Sequence, residues 1–85
     1  MTNIVLKKIA QTRVDSSILY QKFFIADIEL KNGDTVIEAQ VDYLVEENPI
    51  TINVYIKKIN NGGNSIIEYK SDILKTLKEY HLNLE

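Results

Sequence analysis

Four carboxylates, Asp27, Glu29, Glu38 and Asp42, stand at alternating positions of two neighbouring stretches, Phe23–Leu30 and Val36–Val45. Carboxylates brought together this way have three kinds of chemistry open to them. A desolvated pair splits its pKa values and works as acid and base. A set of six or more oxygens holds a hard cation. A solvated row attracts a partner with a basic surface. The choice depends on which side chains share a face and on what stands beside them.

Both stretches read as β-strands. From Phe24 onward the even positions Phe24, Ala26, Ile28 and Leu30 are apolar, and in the next run Ile37, Ala39, Val41, Tyr43 and Val45 are. Alternation of this kind puts one set of side chains on each side of a sheet. Asn32-Gly33 between the runs is the favoured pair for a two-residue hairpin turn in which both residues need positive φ. With those two residues as the loop, Lys31 faces Asp34, Ile28 faces Ile37, Ala26 faces Ala39 and Phe24 faces Val41. A one-residue slip would put every apolar side chain on the wrong side.

The same register sets Asp27 opposite Glu38, and like charges directly opposed on a sheet are destabilising. A third strand, read from Ile50 with Ile52, Val54 and Ile56 on one face, supplies the relief. If Val45 faces Ile50, then Glu38 faces Lys57, Gln40 faces Tyr55 and Asp42 faces Asn53. Lys7, on an extended segment from Ile4 to Val14, flanks Asp27 from the other side. The expected row is therefore Lys7–Asp27–Glu38–Lys57, a charge ladder whose exposed pairs contribute roughly 0–1 kcal/mol each. Lys57 competes for Glu38 and the oxygens are too few, so no metal site is expected.

Phe23, Ile25, Val36, Leu44 and Tyr55 share the face with the carboxylates. A mixed apolar and charged surface on a small protein suits an interface. The candidate interaction residues are Phe23, Ile25, Asp27, Glu29, Glu38, Asp42 and Tyr55, and the expected partner is another protein, one with a basic surface in the acidic-patch version. Leftover apolar residues on this face also allow a homodimer.

The elements that position this face are few. Asp15-Ser16-Ser17 and Glu46-Glu47-Asn48-Pro49 are turn or strand-ending signals. Gly62-Gly63 marks a loop, and Ser65 with Glu68 has capping-box spacing. From there Ile66, Tyr69, Ile73, Leu77, Tyr80 and Leu84 recur at helical spacing, with Ile67 and Leu74 widening the stripe. A helix from Ser65 to about His81 follows, against a competing short strand over Ile66–Tyr69 with the helix starting at Ser71. The fold expected is α+β, a four-stranded antiparallel meander covered on its apolar face by one C-terminal amphipathic helix, a single domain over 1–85. The expected core is Phe24, Ala26, Ile28, Ile37, Ala39, Val41, Tyr43, Ile52, Val54 and Ile56 against Ile66, Ile73, Leu74, Leu77 and Tyr80.

Composition narrows the function. Eighty-five residues give a small core, and a chain of this size buries roughly 60% of its unfolded surface. There is no cysteine, which excludes disulfides and thiolate chemistry. The net charge is −2 and Arg13 is the only arginine, which disfavours nucleic acid. The N-terminal apolar run is cut by Lys7-Lys8, and nothing approaches the roughly 20 apolar residues of a membrane helix, so a cytoplasmic protein without membrane contact is expected. His81, the single histidine, reads as a helix-dipole partner or a surface residue. Ser16, Ser17, Ser65 and Ser71 carry no nucleophile signature. No catalytic residue, cofactor or metal is expected.

The β-β-β-β-α order resembles that of small single-stranded-DNA-binding coactivator domains, by element order alone; their basic and aromatic pattern is not found in this chain. Single-strand binding through Tyr20, Phe23, Phe24, Tyr43 and Tyr55 with Lys22, Lys57 and Lys58 is accordingly the alternative function, at low affinity. The leading expectation is a non-enzymatic binding or regulatory protein acting through protein–protein contact. The abundance of Ile, Lys and Asn fits an AT-rich genome and hence a phage- or mobile-element-encoded inhibitor or accessory factor.

Overall fold

Alternating apolar residues through the first sixty positions build four antiparallel strands that lie side by side in chain order. The computed structural model describes residues 2–15, 20–47, 50–60 and 64–83. They form β1 (Thr2–Asp15), β2 (Tyr20–Asn32), β3 (Thr35–Glu47), β4 (Ile52–Asn60), a 3₁₀ turn (Asn64–Tyr69) and α1 (Lys70–Asn83). This is the expected β-β-β-β-α order, with no fifth strand over Ile66–Tyr69. The turn readings at Ser16-Ser17, Asn48-Pro49 and Gly62-Gly63, and the side chain of Ser65 with its proposed cap, lie outside the described residues. No helix among the described residues is long and apolar enough to cross a membrane.

The hairpin register differs from the expected one by two residues. Asn32 pairs with Thr35, so the turn is Gly33-Asp34, with Gly33 at φ +61° in the first central position. Both primed hairpin turns need positive φ there, and glycine adopts it without a Cβ clash. Asn32 instead joins the strand, and its side-chain amide donates to the Tyr69 hydroxyl at 2.7 Å. A slip of two keeps every side chain on its face but changes every neighbour. Ala26 now faces Val41, Ile28 faces Ala39 and Phe24 faces Tyr43. Small side chains thus meet larger ones, where the expected register would have set Ala26 against Ala39. The Phe24 and Tyr43 rings stack with centroids 5.4 Å apart, a favoured aromatic arrangement.

The β3–β4 register also differs. Glu47 pairs with Ile52 and Leu44 with Tyr55, and the pairing then shifts between Tyr43–Ile56 and Asp42–Lys58. Ile50 therefore does not face Val45; it lies ahead of β4, 91% exposed. Lys57 is the extra residue of this bulge, and Lys7 and Thr12 are the extra residues of two bulges in β1. Bulges in an edge strand twist it away from further pairing.

The core lies between the sheet and the helical segment. Ala26, Ile28, Leu30, Ala39, Val41, Tyr43, Val45, Ile52 and Val54 of the sheet are buried together with Ile66, Ile73 and Leu77. Each fully buried Ile, Leu or Val contributes roughly 1.5–3 kcal/mol. Leu30 and Val45 belong to this core although the expected set omitted them. Phe24, Ile37, Ile56 and Leu74 pack against it only partly buried. The first helical turn is 3₁₀, which aligns residues three apart and so directs Ile66 and Tyr69 at the sheet together.

The buried stripe of α1 continues through Ile73, Leu77 and His81, in steps of four. His81, read from sequence as a helix-dipole partner or a surface residue, is only 6% exposed, while Tyr80 is half-buried. Its Nε2 lies 2.8 Å from the Tyr43 hydroxyl, and its ring packs against those of Phe24, Tyr43 and Tyr80. Desolvation pulls the imidazole pKa below its ordinary value, with Glu47 opposing and Lys22 adding to the shift. Burial, with a smaller part from Tyr80, pushes the Tyr43 hydroxyl well up. At neutral pH the pair is therefore an uncharged hydrogen bond within the core.

Candidate protein-binding face

The helix covers one side of the sheet, and residues paired across strands share a side. The register therefore lays out the open side as rows. Asp15, Gln21, Glu46 and Asn53 form the first, then Arg13, Phe23, Leu44 and Tyr55, then Ala10, Ile25, Asp42 and Lys58, then Lys8, Asp27, Gln40 and Asn60. Beyond these, where β4 has ended, come Val5, Glu29 and Glu38, and then Asn3, Lys31 and Val36. All seven candidate residues, Phe23, Ile25, Asp27, Glu29, Glu38, Asp42 and Tyr55, are on this side, because the two-residue slip preserved it.

Their neighbours are not the expected ones. The opposed like-charge pair is Glu29 and Glu38, whereas Asp27 faces Gln40 and accepts from its amide at 3.4 Å. Lys57 does not reach Glu38, since β4 ends before that row. Lys7 relieves the pair instead. As the extra residue of a bulge it is free of the ladder, and its Nζ lies 2.8 Å from Glu29 Oε2 and 3.4 Å from Glu38 Oε1. Lys31 Nζ is 3.2 Å from the other Glu29 oxygen. Hydrogen bonds from Lys7 and Lys31 hold the Glu29 carboxyl below its usual pKa, and Glu29 and Glu38 raise that of Lys7. This half of the face is a charge lattice in which each carboxylate has a polar partner.

The other half is aromatic and basic. The Arg13 guanidinium lies 4.1 Å from the centroid of the Phe23 ring and Lys57 Nζ 5.1 Å from it, both over the ring. Cation–π contacts of this type contribute roughly 0.5–1 kcal/mol at exposed sites. Thr12, the extra residue of the second β1 bulge, donates from its hydroxyl to the Phe23 carbonyl at 3.2 Å. Lys58 stands across from Asp42, whose Oδ1 is buried without a hydrogen-bond partner. The row Arg13–Phe23–Leu44–Tyr55 crosses all four strands, with Tyr55 49% exposed at its end.

Sequence reasoning did not place Arg13 or Lys57 beside Phe23. The bulges that do so have a signature all the same. Inward-facing residues are spaced by three at Leu6–Ile9, Gln11–Val14 and Ile56–Ile59, and Lys7-Lys8 and Lys57-Lys58 mark two of the breaks. Among the described residues no group of three or more His, Asp and Glu stands where it could hold a metal ion. Comparison with protein-family models, with curated proteins and with solved structures finds no match to this chain.

Proposed function

We propose that the protein is a non-enzymatic binding protein that docks another protein on its open sheet face and acts by contact, as a small inhibitor or accessory factor. The observation that carries this reading is the row Arg13–Phe23–Leu44–Tyr55, a band of aromatic and aliphatic surface across four strands on the side the helix leaves uncovered. Aromatic residues and arginine are the types that concentrate binding energy at the centres of protein interfaces. The charge lattice around Lys7 and the carboxylates forms a polar rim on one flank. The unbonded Asp42 oxygen marks a position where folding stability is not optimal, as at many recognition surfaces.

The test is affinity capture from host lysate with the wild-type chain and with Tyr55→Lys and Val36→Lys, two exposed positions on the open face. A protein retained by the wild type and lost with both variants, which melt as the wild type does, supports docking on this face. Retention of the same protein by both variants removes the reading. The alternative, single-stranded nucleic acid, draws on the cations gathered around the Phe23 ring. It requires binding of an oligonucleotide that is strongest at low salt.

A further inference from the structure

The second half of the open face is concave. A hollow of about 510 Å³ is lined by Arg13, Phe23, Ile25, Asp42, Lys57 and Lys58, among others. Phe23 and Ile25 form its apolar floor, and three cations stand around it against one carboxylate. The ion pairs of the sheet involve Lys7, Lys22 and Lys31, and among the described residues none joins Asp42 to Arg13, Lys57 or Lys58. Asp42 offsets one of the three cations, which leaves the lining with an excess of positive charge. The grouping is also costly to arrange by chance, since Lys57 and Thr12 reach it only as the extra residues of separate bulges. Bulges commonly re-aim side chains at functional positions.

From this geometry we infer that the hollow receives an acidic peptide segment of the docked protein, its carboxylates meeting Arg13, Lys57 and Lys58 and an apolar side chain resting beside them on Ile25. The inference rests on the docking reading above and names the chemistry of the partner, which is opposite in sign to the basic partner that the carboxylate row alone suggested. The Arg13 fork suits a carboxylate as it would a phosphate, so the charge of the neighbouring rows decides between them. A nucleic-acid strand fits less well. Its phosphates would continue along the face into the rows of Asp27, Glu29 and Glu38, where the Glu38 side chain is 73% exposed. The Phe23 ring on which a base would stack already carries Arg13 and Lys57.

The test measures fluorescence anisotropy of the full chain with three labelled probes at low salt. These are a short Glu/Asp peptide with a central Trp, its Gln/Asn counterpart, and an oligothymidine of the same charge as the acidic peptide. The expected result is binding of the acidic peptide alone, weakened about tenfold or more by Arg13→Gln combined with Lys57→Gln, a loss of at least ~1.4 kcal/mol. Lys75→Gln combined with Lys78→Gln, which removes the same charge from α1, leaves affinity within about twofold, as expected of screened remote charges. Absence of binding, equal losses in the two double variants, or tighter binding of oligothymidine each overturns the inference. Should the lysate partner be lost with Tyr55→Lys but kept with the Arg13 and Lys57 substitutions, docking on the face stands and the acidic occupant falls.

Discussion

Replacing Tyr43 by Phe removes one oxygen atom from the core and leaves the Nε2 of His81 buried without its partner at 2.8 Å. The ring remains, so the stacking with Phe24 at 5.4 Å is kept and the transfer term is nearly unchanged. What is lost is a satisfied buried hydrogen bond, and an orphaned buried group costs about 1–3 kcal/mol. For a domain of this size each kcal/mol moves the thermal midpoint by about 4–8 °C. Urea and thermal unfolding at pH 8, followed by circular dichroism, should therefore show a clear fall in midpoint with an unchanged urea slope. The double variant Tyr43→Phe with His81→Leu removes both polar partners and should recover much of the loss, since replacing both by apolar groups is nearly neutral.

The same bond sets a pH dependence. Burial lowers the His81 pKa in the folded state, under the opposed influences of Glu47 and Lys22, which themselves pair at 3.4 Å. The unfolded chain takes up the histidine proton near its ordinary value of about 6.5 while the folded chain does not. Stability is therefore full above that pH and is lost as pH falls below it, at up to about 1.4 kcal/mol per pH unit until the folded group protonates. In the double variant this component disappears. A Tyr43→Phe protein as stable as wild type at pH 8, or a wild-type midpoint that does not fall between pH 7 and 5.5 relative to the double variant, would refute the buried neutral pair.

Gly33→Ala should cost about 1–2 kcal/mol, read as a drop in thermal midpoint, because φ is +61° there and a Cβ is disfavoured at that angle even though nothing lies within 4 Å of it. Gly33→Asn should cost less, since Asn tolerates the left-handed region, and equal losses would argue for a crowded rather than a strained turn. Asp42→Val should raise stability by about 1 kcal/mol in urea titration, because it deletes a buried carboxylate oxygen that has no bond and substitutes a good strand former. A loss of stability in that variant would mean that the oxygen is bonded in solution.

Much of the fold is legible because each apolar run has one dominant period. Phe24 to Leu30 and Ile37 to Val45 read as strands with one wet side and Ile73 through Leu77 as a helical stripe, while Ile66–Tyr69 also admitted a short strand. The end of that stripe was ambiguous, since Tyr80 and His81 both fall within helical reach of Leu77, and residue type pointed to the tyrosine. The sheet decided for His81 by offering the Tyr43 hydroxyl as a partner. For the face, the seven candidate residues were legible as a set, but their pairings were not. Lys7 rather than Lys57 neutralises the opposed glutamates, and Lys57 with Arg13 surrounds Phe23.

The sequence by itself determined the two faces of the central hairpin, the order of the strands and the C-terminal helix, and which side of β2 and β3 carries charge. These follow from a period of two, which any even slip preserves. Only the tertiary structure decided the register, by the tie from Asn32 to Tyr69, by small side chains opposing large ones, and by the stacked Phe24 and Tyr43. It also decided the bulges, which advance both edge strands past their neighbours by single residues. The even slip left the face intact, and the bulges changed which charges meet on it, replacing the expected ladder Lys7–Asp27–Glu38–Lys57 with a lattice around Lys7, Glu29 and Glu38 beside a basic, aromatic hollow.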